Sequence, residues 1–312
     1  MILKDNSMKK AIVSELKNKF ISDNRFISNI ENLKVKKFYK YRDLNEYSLK
    51  DLINNTVTLT NPKKFNDLYD SATIKSSYSE MIDENKESIR ISNSAVGLDQ
   101  TKKTYGPILN SFKKDKTYFE EQDIFHMRYF HDYLRVLSLT ESNDNILMWS
   151  HYANSNQGIC IEYELISDKL VNNLFPVIYI KKPIDLTNLI SNNFSDKELK
   201  LYIYLSTILK HDIWKYEEEW RFFILFDDNV NNDFLDIKIN QIFKVSKIYL
   251  GRDFLRYWDD NRNNPIYSEF TNWIIENHID LYIMKNKFNS FHLIPEKLSY
   301  TDLMNPSTIY CI

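Results

Sequence analysis

Met148-Trp149-Ser150-His151-Tyr152-Ala153, followed by Gly158 and Ile159-Cys160-Ile161-Glu162-Tyr163, is the stretch on which the reading of this chain turns. Ahead of it, Arg135-Val136-Leu137-Ser138-Leu139-Thr140-Glu141 alternates in the manner of a half-buried strand. The three segments predict a strand, a short helical turn and a second strand, a frame that would hold Trp149, His151 and Tyr152 rigidly. Polar, aromatic and titratable side chains stand where a buried loop normally has none, so the motif reads as a site. His151, whose ordinary pKa lies near neutrality, suits a general base, a donor to substrate or a structural histidine. Trp149 and Tyr152 also suit core packing, Tyr152 with a polar end.

Working outward, Phe38-Tyr39-Lys40-Tyr41-Arg42 reads as a strand, a helix follows over about Tyr47 to Asn54, and Thr56-Val57-Thr58-Leu59-Thr60 is a second strand ended by Asn61-Pro62. Tyr41 and Arg42 bring a phenol and a guanidinium to a strand end, where Arg pairs with a phosphate, a carboxylate or a local acid. Phe65-Asn66-Asp67 reads as a turn bonded by its own side chains, placed to shape a pocket rim. Residues 1 to 30 read as an amphipathic helix, with Ile12, Val13, Leu16 and Phe20 on one face. Residues 76 to 120 are Ser-, Lys- and Glu-rich with weak periodicity, and 121 to 134 read as a helix.

Beyond Tyr163 come a strand over Phe175 to Ile180 and a helical region from about Ser195 to Trp214. A tail of short strands and one helix extends to Ile294. No repeat and no Pro- or Gly-rich linker divides the chain. The expectation is an α+β fold with central mixed or antiparallel sheets and flanking helices. It comprises an N-terminal helical segment, 1–34, and one domain over 35–312 with an insertion at about 76–134.

Composition narrows the function classes. The 312 residues are 43% hydrophobic and 14% aromatic, ample for a packed core. With 41 basic and 43 acidic residues the formal net charge is -2, so no global positive field recommends nucleic acid as an obligatory partner. Cys160 and Cys311 lie far apart without a Cys or His at metal-ligand spacing, so neither a disulfide nor a metal is expected. Four glycines leave no GxGxxG and no Walker sequence, so a bound nucleotide must be held by side chains and strand edges. Without a signal-peptide pattern or a bilayer-length apolar run, the expected location is a bacterial-type cytoplasm, with no membrane partner.

A second constellation is Glu217-Glu218-Glu219-Trp220-Arg221-Phe222-Phe223-Ile224. Strand periodicity puts Glu217, Glu219 and Arg221 on one face and Trp220, Phe222 and Ile224 on the other, toward the core. Paired carboxylates suit chemistry in which positive charge develops on a sugar carbon: one holds a ribose hydroxyl, the other accepts a proton. Arg221 binds a phosphate or neutralises the acids. A solvated acidic face with an internal Glu-Arg pair explains the run equally well.

Tyr39-Lys40-Tyr41-Arg42, Leu59-Thr60-Asn61-Pro62 with Phe65-Asn66-Asp67, the 148–153 run with Gly158, and Glu217-Glu218-Glu219-Trp220-Arg221 together resemble the bacterial family DUF2971 over about residues 35 to 255. The order of these blocks is similar to the three-part plan of ADP-ribosyltransferases. That resemblance implies Tyr41 or Arg42 engaging NAD, and Ser138, Thr140 or Tyr152 lining a nicotinamide pocket. Glu219, with Glu217 before it, would do the acidic work. Trp149 and Arg221 complete the implied cofactor set and His151 the catalytic one, although the usual plan gives His151 no role and the chain has no Ser-Thr-Ser run. NAD is then the small-molecule nucleotide consumed, with a protein, nucleic acid or water as acceptor. The setting implied is a bacterial toxin or phage-defence effector. The rival reading is a non-catalytic nucleotide-binding or sensor module of a defence or stress system. A metal-dependent nuclease built on Asp67, His151 and the 217–219 acids is poorer, since no HxxxH or Cys pair appears.

Overall fold

Side-chain alternation and capping set the first unit. The computed structural model describes residues 37–67, 69–71, 74–75, 131–166, 173–185, 203, 205–226, 230–240, 242–261, 263–287 and 289–305. The expected helix over 1–30 and residues 76–130 of the insertion expected at about 76–134 lie outside them. Strand β1 (Lys37–Arg42) leads to α1 (Glu46–Asn54), which begins at a reciprocal capping box between Asn45 and Ser48 and ends at Asn55 in the left-handed region. Next come β2 (Thr56–Thr60) and the short β3 (Ile74–Lys75), then β4 (Leu134–Thr140), α2 (Ile146–Tyr152) and β5 (Ile159–Leu165). The predicted strand, helical turn and strand around the 148–153 run are therefore present.

Four short strands follow: β6 (Leu174–Pro176), β7 (Ile178–Ile180), β8 (Ile184–Asp185) and β9 (Leu209–His211). A 3-10 turn over Asp212–Glu217 leads into β10 (Glu219–Leu225), β11 (Phe234–Lys238) and β12 (Phe243–Leu250). The last elements are α3 (Phe254–Asp260), α4 (Pro265–Glu276), β13 (Asp280–Asn286), β14 (Leu293–Leu298) and α5 (Tyr300–Met304).

Among the described residues, ten strands form one mixed sheet in the order β11-β2-β4-β1-β5-β12-β13-β14, with β10 and then β6 on the other edge of β4. Within it only β12 and β13 run parallel. The architecture is α+β, as expected. One sheet face carries Phe38, Leu59, Leu137, Ile161 and Ile248 and is covered by α1, α3 and α4 through Leu52, Phe254, Trp258, Phe270 and Ile274. Burying such side chains stabilises a fold by about 1.5 to 3 kcal/mol each. The opposite face holds a smaller cluster of Tyr41, Trp149, Cys160, Tyr249 and Met284, to which α2 contributes Trp149.

The sheet forks at β4. Thr60 of β2 pairs with Val136 and Tyr39 of β1 pairs with Thr140, both on the edge that β10 leaves open. β1 then peels away toward β5 while β2 comes in, so the edge between Val136 and Thr140 meets neither strand. After α2, Asn154, Ser155 and Asn156 hold positive φ of 45°, 53° and 70° in succession, an arrangement Asn tolerates better than most residues. The turn ends at Gly158, where a Cβ would collide with the Arg42 carbonyl. This locks α2 against the far end of β1.

Three expectations need correction. The strand predicted over Phe175 to Ile180 breaks at Val177: β6 pairs with β10, whereas β7 pairs in parallel with β9. In the 195–214 stretch the described helical residues end at Ile208, where the chain turns extended to make that pair. Glu217 is not on the strand, because Glu218 takes φ 44° and turns the chain between the 3-10 turn and β10.

Candidate active site

The mouth of the fork opens into a cavity of about 490 Å³. Its walls come from β1 (Tyr39, Lys40, Tyr41), β4 (Ser138, Leu139, Thr140) and α2 (Met148, His151, Tyr152). Segments beyond β2 and around β9 and β10 add Phe65, Asn66, Asp70, Lys210, Glu217 and Glu219. A second cavity of about 790 Å³ lies against α1, β2 and β11 and shares Lys40, Tyr41, Thr60 and Tyr152 with the first.

Five buried charges meet at the first cavity. Arg221 uses all five of its N–H donors: Nε and one terminal nitrogen donate to Glu219 at 2.8 and 3.0 Å, both terminal nitrogens donate to Asp70 at 2.7 and 2.6 Å, and one donates to the Thr207 carbonyl at 2.6 Å. Phe65 covers the guanidinium with its ring centroid 5.4 Å away. Lys210 Nζ donates to Glu217 at 2.5 Å and to Glu219 at 2.9 Å, with Asp70 at 3.6 Å. Tyr152 Oη donates to the other oxygen of Glu217 at 2.7 Å and accepts from Asn66 Nδ2 at 3.3 Å. Two cations thus serve three acids.

That imbalance separates the acids. Burial alone would raise Glu219, but Arg221 and Lys210 outweigh it and hold the carboxyl far below the usual range. Glu217 moves the other way: burial raises it, the neighbouring Glu219 charge adds to the effect, and Lys210 only partly offsets them. Lys210 stays charged, since Glu219, Asp70 and Glu217 overcome its desolvation. Of the two glutamates that share Lys210, Glu217 is therefore the one better able to exchange a proton, a property that marks candidate sites.

Of the residues singled out in the sequence, Tyr41, Ser138, Thr140, His151, Tyr152, Glu217 and Glu219 are brought to one cavity wall. His151 is exposed there, with Nδ1 3.2 Å from Tyr216 Oη. Arg221 lies behind the wall and is fully buried. Arg42 faces the second cavity, tied to Asp51, which also accepts from Thr56 and Thr58. Trp149 does not reach either cavity: it is fully buried, donates from Nε1 to the Asn143 carbonyl at 2.8 Å, and packs edge-on against Tyr41. Among the described residues no three His, Cys, Asp or Glu side chains form a metal-ligand set.

Sequence reasoning missed Asp70, Lys210 and Lys40. Lys40 did carry a signal, because alternation along β1 places it with core-facing Phe38 and not with Tyr39 and Tyr41. Asp70 and Lys210 had none, since what defines them is their ion pairs with Arg221, Glu217 and Glu219 in the folded chain, and Asp70 stands 151 positions from Arg221.

The family described as Protein of unknown function (DUF2971) matches residues 148–222, from α2 through the first half of β10. The matched segment thus carries His151, Tyr152, Lys210, Glu217, Glu219 and Arg221. No curated protein and no solved structure matches the chain. Among the described residues no helix is long and apolar enough to cross a membrane.

Proposed function

We propose that this cleft takes NAD and that the protein is an ADP-ribosyltransferase-like enzyme or NAD glycohydrolase. One observation carries the reading: Glu217 and Glu219 share a cavity wall with the hydroxyls of Ser138, Thr140 and Tyr152 and the imidazole of His151. Glu219, pinned by Arg221 and Lys210, supplies fixed negative charge where an oxocarbenium-like sugar would develop positive charge. Glu217 is the acid–base group. In the proposed step the bond between the ribose carbon and the nicotinamide nitrogen breaks, and its electron pair leaves with nicotinamide. A lone pair of the incoming hydroxyl or water forms the new bond at that carbon, and its proton passes to Glu217. A base whose pKa is raised toward the working pH suits that transfer.

The test is nicotinamide release by the full-length chain. Glu217→Gln should lower kcat by about 10²- to 10⁴-fold, the usual contribution of general acid–base catalysis, with little change in KM. Full turnover by Glu217→Gln, or absence of NAD consumption by the unaltered protein, rejects the assignment. One observation favours a binding or sensor module instead: every carboxylate oxygen of Asp70, Glu217 and Glu219 already has an internal partner. Calorimetry showing NAD binding without turnover would select that reading.

A further inference from the structure

Lys40 lines both cavities, together with Tyr41, Thr60 and Tyr152. Its amine reaches from β1 across the fork and donates to the Ser138 carbonyl at 3.1 Å, a group on the β4 edge that neither β1 nor β2 pairs. An ammonium has three N–H donors, so two remain. Among the described residues no carboxylate lies within salt-bridge reach of Lys40. Asp51, the nearest candidate from α1, is occupied by Arg42, Thr56 and Thr58. Glu219, across the cleft on β10, is occupied by Arg221 and Lys210. A cation with spare donors thus lines both cavities.

We propose that Lys40 is the anion receptor of this cleft, holding the pyrophosphate diester of a dinucleotide where the two cavities share their lining while its two nucleoside halves occupy the two cavities. This rests on the nucleotide reading above and deepens it. The ligand class follows from the shape, since a charge in the middle of the molecule must be flanked by a bulky group at each end. One chamber offers Tyr39, Phe65 and Tyr152 as flat apolar surfaces. The other offers Tyr47 and Phe234 beside Asp43 and Asp236, acceptors for sugar hydroxyls.

Binding should carry a proton with it. Burial pulls Lys40 down to about 7, Arg42 beside it on β1 pushes the same way, and Asp51 and Glu219 oppose only in part. Lys64, Lys210, Asp70, Glu217, His151 and the Tyr39, Tyr41 and Tyr152 hydroxyls are the other ionisable groups round the first chamber. Asp43, Lys50, Asp236 and the Tyr47 hydroxyl are those added, among the described residues, by the second. Below pH 7 the free amine is already charged. Above it the amine is neutral and an anion must draw in a proton to bind, so affinity falls by about tenfold per pH unit.

The experiment is calorimetry with ADP-ribose, whose diester has no proton to exchange near neutrality, at pH 6 and pH 8 in buffers of different ionisation enthalpy. The unaltered chain should bind with uptake approaching one proton at pH 8 and none at pH 6. Lys40→Met should weaken binding at pH 6 by roughly 10- to 150-fold, the worth of a hydrogen bond to a charged group. Lys40→Arg, charged at every pH, should bind without proton uptake and keeps the proposal testable if the Met variant misfolds. No binding by the unaltered chain, or identical binding and uptake by folded Lys40→Met or by Lys40→Arg, overturns the proposal. NAD turnover separates the two claims. Lys40-dependent binding without nicotinamide release rejects the enzyme reading alone, and nicotinamide release by Lys40→Met at unchanged KM rejects the receptor alone.

Discussion

Two buried glutamates meet opposite fates. Glu162 on β5 and Glu217 beside β10 are 1% and 3% exposed, and each accepts from a tyrosine at 2.7 Å and from a lysine. Yet Glu162 is lowered and Glu217 raised. Burial pushes both up, but Tyr249, Ser246, Lys37 and the nearby Lys247 all favour ionised Glu162. Glu217 shares Lys210 with Glu219 and Asp70, and the Glu219 charge works against it. Glu162 is held ionised chiefly by hydrogen bonds from Tyr249, Ser246 and Lys37, whereas Glu217 has fewer such donors and a charged acid beside it.

The largest expected effect tests whether the cleft network is the costlier one to break. Arg221→Met strands Asp70 and Glu219 in the interior and should cost about 3 to 5 kcal/mol in a urea melt. Lys37→Met removes a half-exposed partner from Glu162 and should cost no more than about 1 kcal/mol. Equal losses would end the contrast.

A smaller effect sharpens it through pH. The folded value of Glu162 is lowered, so its stabilisation is complete above the unfolded pKa and is lost as pH falls through the folded one. The folded value of Glu217 is raised, so its contribution is complete below the unfolded pKa and is lost as pH rises through the folded one. At pH 7, Glu162→Gln should therefore destabilise by about 1 to 3 kcal/mol, the cost of leaving buried partners unmatched. Glu217→Gln should be neutral or stabilising, because Lys210 keeps Glu219 and Asp70. Melts of both variants at pH 5 and pH 7 check the two signs, and the same sign at pH 7 would break the comparison.

Smallest is Tyr152→Phe, which removes one donor from Glu217. A loss of about 1 kcal/mol is expected, together with a further rise in the carboxyl's pKa, readable by carbon-13 NMR of labelled glutamate. Tyr249→Phe should act in the same direction on Glu162 without bringing it up to Glu217.

Much of the scaffold was legible because local rules govern it. Alternation in β1, β2 and β4 and the helical turn between β4 and β5 are encoded within a few residues of where they act. The side-by-side carboxylates were anticipated, though Glu217 arrives from a 3-10 turn and not from the strand. What escaped was long-range. Asp70 gains its place from Arg221, 151 positions along the chain, and no periodicity spans that distance. Trp149 was ambiguous for a different reason: an indole between polar residues has the same letters whether it stacks on a ligand or, as here, fills the interior.

The fork has one more implication. Val136 and Thr140 act as two fixed posts, and at strand spacing four residues set them about 13 to 14 Å apart. Moving either post by one residue would turn its whole strand inside out, exposing apolar side chains and burying the pocket's own. The gate can therefore widen or narrow only in two-residue jumps of about 7 Å. The opening of the fork therefore takes stepped widths, and intermediate ones are not open to this fold.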